Sequence, residues 1–232
     1  MPSFFTVGNM LSGFMSVVFS TYHHNLTLGA WMIVLAAFLD SLDGKVARIA
    51  NASSKFGVEY DSLADVVSFG FAPSALIYTY FFNQWGTVGL FISFFPLLFA
   101  SIRLARFNVQ LEGFEKSEFI GLPSPAGALA LAGYILFMFK YFPDEIFPKF
   151  LLLVTLSVSV LMVSTIKYNV MPKFTYRGGF RQTVTFVVML ALIILVVIFP
   201  RTLIFPYILF YVTFGFFKFL IRLGSGKGIK NR

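Results

Sequence analysis

Four aspartates stand between residues 40 and 65, in the stretch DSLDGKVARIANASSKFGVEYDSLAD. Asp40 and Asp43 are spaced i, i+3, and Asp61 and Asp65 are spaced i, i+4, so each pair shares one face of a helix. Two facing helices would bring the four carboxylates together, where they would repel one another and take up protons unless divalent cations neutralised them. Oxygen ligands are those that Mg²⁺, Mn²⁺ and Ca²⁺ prefer. The spacing therefore predicts a divalent-metal site.

Small residues and an arginine accompany the aspartates. Gly44, Ala47 and Arg48 follow Asp43 in the sequence, and Gly57 precedes Asp61 by four residues. Glycine and alanine leave room for a ligand to approach the backbone, and the arginine offers a planar fork of donors for phosphate oxygens. This combination favours a phosphorylated ligand.

The elements that must position these residues are membrane helices. Hydrophobic residues make up 58% of the chain, with 32 phenylalanines, whereas soluble domains contain roughly 45–50% apolar residues. The chain contains no cysteine, which excludes disulfides and thiolate metal sites. We expect an integral membrane protein that forms one domain over residues 1–232, because the polar connections are only loop-sized.

Segments of about 20 apolar residues, the length that crosses a bilayer, predict an all-α, polytopic bundle of about eight transmembrane helices. The predicted helices are 4–21, 28–48, 59–82, 86–107, 123–142, 147–166, 180–199 and 202–221.

Positive charge predicts the orientation of this bundle. All lysines and arginines except Lys140, Lys149 and Arg201 fall on one side of the eight-helix arrangement, and cytoplasmic loops carry such an excess. Both termini and the aspartates, hence the predicted metal site, are expected to lie at the cytoplasmic interface. The net charge of +8 suits contact with anionic membrane lipids and is explained by topology, so nucleic acid is not an expected partner.

The aspartate stretch also carries a family signature. It fits D-x-x-D-G-x-x-A-R, a spacer, and G-x-x-x-D-x-x-x-D at every fixed position, and in this it resembles the CDP-alcohol phosphotransferase family. The fixed positions are filled by Asp40, Asp43, Gly44, Ala47, Arg48, Gly57, Asp61 and Asp65.

The resemblance implies an activity and a role for each residue. Members of this family use an alcohol hydroxyl to attack the phosphorus of a CDP-linked lipid and release CMP. By position, the four aspartates would hold two divalent cations (Mg²⁺ or Mn²⁺, with Ca²⁺ as a possible occupant), and Asp65 would also be the general base. The resemblance also implies a homodimer. The implied CDP-binding residues are Asn9, Gly44, Ala47, Arg48, Gly57 and Asp61.

Further segments resemble the membrane-integral phosphatidylserine synthase branch: FFTVGNMLSG, YDSLADVVSFGFAPS, RLARFNV and FIGLPSPAGA. They imply CDP-diacylglycerol and L-serine as substrates and a prokaryotic cell (inner) membrane as the location. Arg103, Arg106 and Asn108, at the cytoplasmic end of the fourth predicted helix, are candidates for binding the acceptor or a phosphate.

Other readings remain open at this point. The arginines alone would also suit glycerol 3-phosphate or inositol 1-phosphate as the acceptor. Readings from other classes are a divalent-cation transporter and a lipid-binding protein without turnover. A transporter predicts carboxylates near the bilayer midplane and repeated helices, whereas these aspartates lie at one predicted interface.

Overall fold

A computed structural model describes residues 3–50, 54–112, 121–166, 168, 195–196 and 198–224. Within these residues the secondary structure is helical, with no strand, which confirms the all-α prediction there. The α-helices run in chain order as α1 Phe4–Thr21, α2 Leu26–Ala50, α3 Lys55–Asp65, α4 Ala72–Tyr80, α5 Gly86–Glu112, α6 Ser124–Tyr141, α7 Pro148–Val163 and α8 Pro200–Gly224.

Among the described residues, five helical segments are long and apolar enough to cross a membrane. They are Phe4–Thr21, Leu26–Val46, Lys55–Tyr80, Phe82–Val109 and Pro200–Phe219. The helix predicted over 147–166 is present but ends at Val163, and the one predicted over 180–199 falls almost entirely outside the described residues.

α1 has the reverse of the usual amphipathic pattern. Phe4, Leu11 and Phe14 are exposed, while Thr6, Asn9, Ser12, Gly13, Ser16 and Ser20 are buried. Helices surrounded by lipid tails gain nothing from burying leucine, so small and polar residues occupy their mutual contacts. This polar face of α1 packs against α2, α3 and α4.

α3 and α4 form one helix that a π-helical segment, Val66–Phe71, interrupts. The backbone N–H of Ala72 donates to the carbonyl of Val67, five residues earlier. Pro73 follows directly, and in a regular α-helix its ring would crowd the carbonyl of Phe69. The wider turn relieves this crowding, and it lies immediately after Asp65.

A proline also lies inside α5, at Pro96. Close to it, the hydroxyl of Ser74 in α4 accepts a hydrogen bond of 3.1 Å from the backbone N–H of Leu97. This hydrogen bond joins α4 to α5 beside the proline and pairs a backbone N–H within the protein, as apolar surroundings require.

Candidate metal and phosphate site

Three of the four aspartates meet between α2 and α3. Asp40, Asp61 and Asp65 each place a carboxylate oxygen within 4.8 Å of the other two. Asp65 is buried, with 8% of its surface exposed, and the other two are half-buried. The i, i+4 spacing on α3 and the packing of both helices against α1 produce this convergence.

The donor set suits a hard divalent cation. Like-charged carboxylates this close repel one another, and one buried oxygen, Oδ1 of Asp61, has no hydrogen-bond partner. Unpaired buried polar atoms are costly, and a cation would pair this atom and offset the repulsion together. Asp40, Asp61 and Asp65 therefore fit Mg²⁺ or Mn²⁺, whose ligands are mostly carboxylate and water oxygens.

The fourth aspartate, Asp43, lies outside this group of three. Its two carboxylate oxygens accept hydrogen bonds of 2.5 Å from the hydroxyls of Ser3 and Thr6, at the start of α1. It remains near enough to Asp40 and Asp61 for its charge to act on both. Sequence reasoning missed Ser3 and Thr6 as neighbours of the site.

Asp65 is held from α1. The side-chain amide of Asn9, fully buried, donates a hydrogen bond of 3.2 Å to Oδ1 of Asp65. The hydroxyl of Ser68, in the π-helical segment, donates in turn to the carbonyl of Asn9 at 2.8 Å. A Cβ at Gly13 would overlap the backbone of Ser68, so glycine permits this approach. Asn9 was predicted to bind CDP, and the structure adds its bond to Asp65.

The small residues of the signature lie beside the carboxylates. Gly44 is exposed on α2, one residue beyond Asp43. Gly57 is half-buried in the first turn of α3, where its N–H donates to the capping hydroxyl of Ser54 at 3.0 Å. The side chains of Ala47 and Arg48 lie outside the described part of the chain, although α2 runs through both positions.

Arg103, in α5, adds positive charge to the site. It is close enough to Asp40 and Asp65 for its charge to act on both carboxylates. One guanidinium nitrogen donates to the hydroxyl of Ser124, at the start of α6, at 3.0 Å, while Nε is buried without a hydrogen-bond partner. Arg103 therefore has a buried donor available for an anionic group.

The two other predicted acceptor residues have different surroundings. Arg106 is exposed and reaches the carbonyl of Val163 at 3.5 Å. Asn108 connects α5 to α3, because its Oδ1 accepts from the hydroxyl of Ser62 and its Nδ2 donates to Glu59, each at 3.1 Å. Asn108 thus contacts the helix that carries Asp61 and Asp65.

Comparison with known proteins agrees with this chemistry. A sequence model of the family described as CDP-alcohol phosphatidyltransferase matches residues 1–161. Similar curated proteins are named CDP-diacylglycerol–serine O-phosphatidyltransferase. The protein of Helicobacter pylori (strain ATCC 700392 / 26695) is 38% identical over 172 residues, covering 72% of this chain and 70% of the relative.

Two further relatives have the same name. The protein of Methanocaldococcus jannaschii is 35% identical over 170 residues, which covers 73% of this chain and 72% of the relative. The protein of Bacillus subtilis (strain 168) is 34% identical over 167 residues, which covers 72% of this chain and 88% of the relative.

Proposed function

The chain belongs to the CDP-alcohol phosphatidyltransferase family, and on that premise we propose that it makes phosphatidylserine and CMP from CDP-diacylglycerol and L-serine. The observation that carries the proposal is the meeting of Asp40, Asp61 and Asp65, all signature positions, between α2 and α3, which both pack against α1. The relatives' shared name supplies the choice of serine.

In the proposed reaction, the serine hydroxyl oxygen attacks the phosphorus of the phosphatidyl group. The new P–O bond forms as the P–O bond to CMP breaks, and CMP leaves with the bonding electrons. Asp65 takes the hydroxyl proton. Asn9 orients this base by donating to Oδ1, which leaves Oδ2 to receive the proton.

The four aspartates are the proposed ligands of two divalent cations, Mg²⁺ or Mn²⁺. When bound, such cations stabilise the negative charge that develops on the attacking and leaving oxygens of an in-line displacement. The unpaired Oδ1 of Asp61 supports its assignment as a ligand. Asp43 is the fourth proposed ligand, and it would bind from its position beside Ser3 and Thr6.

Substrate binding follows from the neighbouring residues. We assign the CDP group to Asn9, Gly44, Ala47, Arg48, Gly57 and Asp61, where the glycines let phosphates approach the backbone. Arg103 binds the carboxylate of the serine acceptor, for which the buried Nε of Arg103 is a suitable donor. Arg106 and Asn108 complete the proposed acceptor side.

The proposed setting is a single catalytic domain over residues 1–232 in a prokaryotic cell membrane. It has eight transmembrane helices, cytoplasmic termini and the site at the cytoplasmic interface, in accordance with the distribution of lysine and arginine. The proposal includes a homodimer and contact with membrane lipids. CDP-diacylglycerol suits this setting because its nucleotide reaches the interface while its chains stay in lipid.

The test is CMP release by the purified protein in detergent with CDP-diacylglycerol and Mn²⁺ or Mg²⁺. Serine, glycerol 3-phosphate and inositol 1-phosphate are compared as acceptors. We expect release with serine, its loss in Asp65→Asn, and normal release in Asp144→Asn, which changes an exposed aspartate in the loop before α7. Release with another acceptor alone would refute serine. Absence of CMP release with every acceptor would refute the proposed enzymatic function and would favour the transporter or the lipid-binding protein instead.

A further inference from the structure

Ser3 and Thr6 form a pair of hydroxyl donors at the start of α1, which we call the hydroxyl clasp. Ser3 is the N-cap of α1, and its Oγ accepts from the backbone N–H of Thr6 at 3.1 Å. The same oxygen donates to Oδ1 of Asp43, and Oγ1 of Thr6 donates to Oδ2. The clasp therefore engages both oxygens of a single carboxylate.

A count of protons shows that the clasp is directed at Asp43. Each hydroxyl has one proton to donate, and each donates it to the carboxylate. The two hydroxyl oxygens lie 3.0 Å apart, so neither proton remains for a bond between them. Thr6 is 3% exposed, which limits water as a competing acceptor.

The location of the clasp favours a negative charge. The first turn of a helix has unpaired N–H groups and the positive end of the helix dipole, which attract an anion. Asp43 lies on α2, three residues from Asp40, and is repelled by the charges of Asp40 and Asp61. Without hydroxyl donors, this repulsion would turn the Asp43 carboxylate away from the other three.

We propose that Ser3 and Thr6 are positioning residues that orient Asp43 and so set the affinity of the site for its second divalent cation. This inference depends on the proposed function, because it assumes that the site takes two cations. Each carboxylate oxygen keeps a further lone pair while it accepts a hydroxyl, so Asp43 can bind the clasp and a cation at the same time. Groups that orient metal ligands typically change metal affinity by about 10–100-fold when removed.

The test is a Mn²⁺ titration of the 232-residue chain in detergent, with free Mn²⁺ followed by its electron paramagnetic resonance signal. Thr6→Val removes the hydroxyl and keeps the side-chain shape. In Thr6→Val we expect the dissociation constant of the more weakly bound Mn²⁺ to rise about tenfold, and that of the more tightly bound Mn²⁺ to be unchanged. Thr6→Ser should restore wild-type binding, and Ser3→Ala should lower it in the same way if Thr6→Val does not fold.

Thr21→Val is the matched control, because its hydroxyl donates to the carbonyl of Val17 at the other end of the same helix. Wild-type Mn²⁺ affinity at both sites in Thr6→Val and Ser3→Ala would overturn the proposed role of the clasp. An equal loss of Mn²⁺ affinity in Thr21→Val would overturn it too. Serine-dependent CMP release is measured on the same wild-type preparation. Normal release with no effect of the clasp variants refutes only the clasp, whereas no release in the wild type refutes the proposed function.

Discussion

The side-chain amide of Asn9 in α1 donates a hydrogen bond of 3.2 Å to Oδ1 of Asp65 in α3. The first helix of the chain therefore orients the residue proposed as the general base. Ser68, three residues after Asp65, donates a hydrogen bond to the backbone carbonyl of Asn9. Two hydrogen bonds therefore connect α1 to the helix that carries Asp65 at this point.

Asn9→Ala should lower kcat for serine-dependent CMP release by about 10–100-fold. The variant removes a hydrogen bond to a charged group, which is worth about 1.5–3 kcal/mol. Steady-state kinetics at saturating Mn²⁺ measures the effect. Asn83→Ala, an exposed asparagine in the turn before α5, should behave as wild type. A kcat within twofold of wild type in Asn9→Ala would show that this bond does not orient the base.

Asp61→Asn should separate stability from activity. The substitution removes one negative charge from a crowded carboxylate group and keeps the side-chain size. We expect the metal-free protein to melt higher, by about 2–4 °C for each kcal/mol of repulsion relieved. Addition of Mn²⁺ should raise the melting temperature of the wild type through binding but have little effect on the variant, which should also lose CMP release.

Thermal unfolding in detergent, with and without Mn²⁺, checks this expectation, and Asp144→Asn is again the control. A metal-free Asp61→Asn protein that melts below the wild type would contradict the inference that repulsion among these carboxylates destabilises the fold.

Arg103→Lys should raise KM for serine about tenfold or more and leave KM for CDP-diacylglycerol near its wild-type value. Lysine keeps the positive charge near Asp40 and Asp65 but lacks the planar set of donors that suits a carboxylate. Initial rates at varied concentrations of each substrate separate the two constants. Arg201→Lys, an exposed residue in the first turn of α8, is the control, and an unchanged serine KM in Arg103→Lys would remove Arg103 from the acceptor site.

Asn108→Ala distinguishes two roles for this residue. If Asn108 mainly fixes α3 through Ser62 and Glu59, its loss should lower stability by about 0.5–1.5 kcal/mol for each bond, with little change in serine KM. Its effect should not add to that of Ser62→Ala, because both variants remove the same bond. A large rise in serine KM together with additive stability effects would instead support direct contact with the acceptor.

The helical class and the convergence of Asp40, Asp61 and Asp65 were predictable because their signals are local. Apolar runs predict membrane helices, and the i, i+4 spacing of Asp61 and Asp65 predicts a shared face. The family prediction is confirmed by the match over residues 1–161. The site assignments of individual residues remain predictions, as do the eight-helix count and the orientation.

The contacts of Asn9, Ser3 and Thr6 were not predictable in detail because they join distant parts of the chain. A serine or threonine at a helix start signals a cap, which fits Ser3, but nothing local shows that both hydroxyls also meet Asp43. The π-helical segment was equally hidden, since Val66–Phe71 has ordinary apolar composition.

The π-helical segment fixes the angle between the two halves of one membrane helix. Each residue turns an α-helix by about 100°, and the wider π-helical turn accommodates about one extra residue. If Val66–Phe71 were wound as a regular α-helix instead, Asp61 and Asp65 would rotate by about 100° relative to the buried face of α4. Composition and hydropathy would be the same, but the carboxylates would point elsewhere. The direction of these carboxylates is therefore set by the type of helical turn that follows them as much as by residue identity.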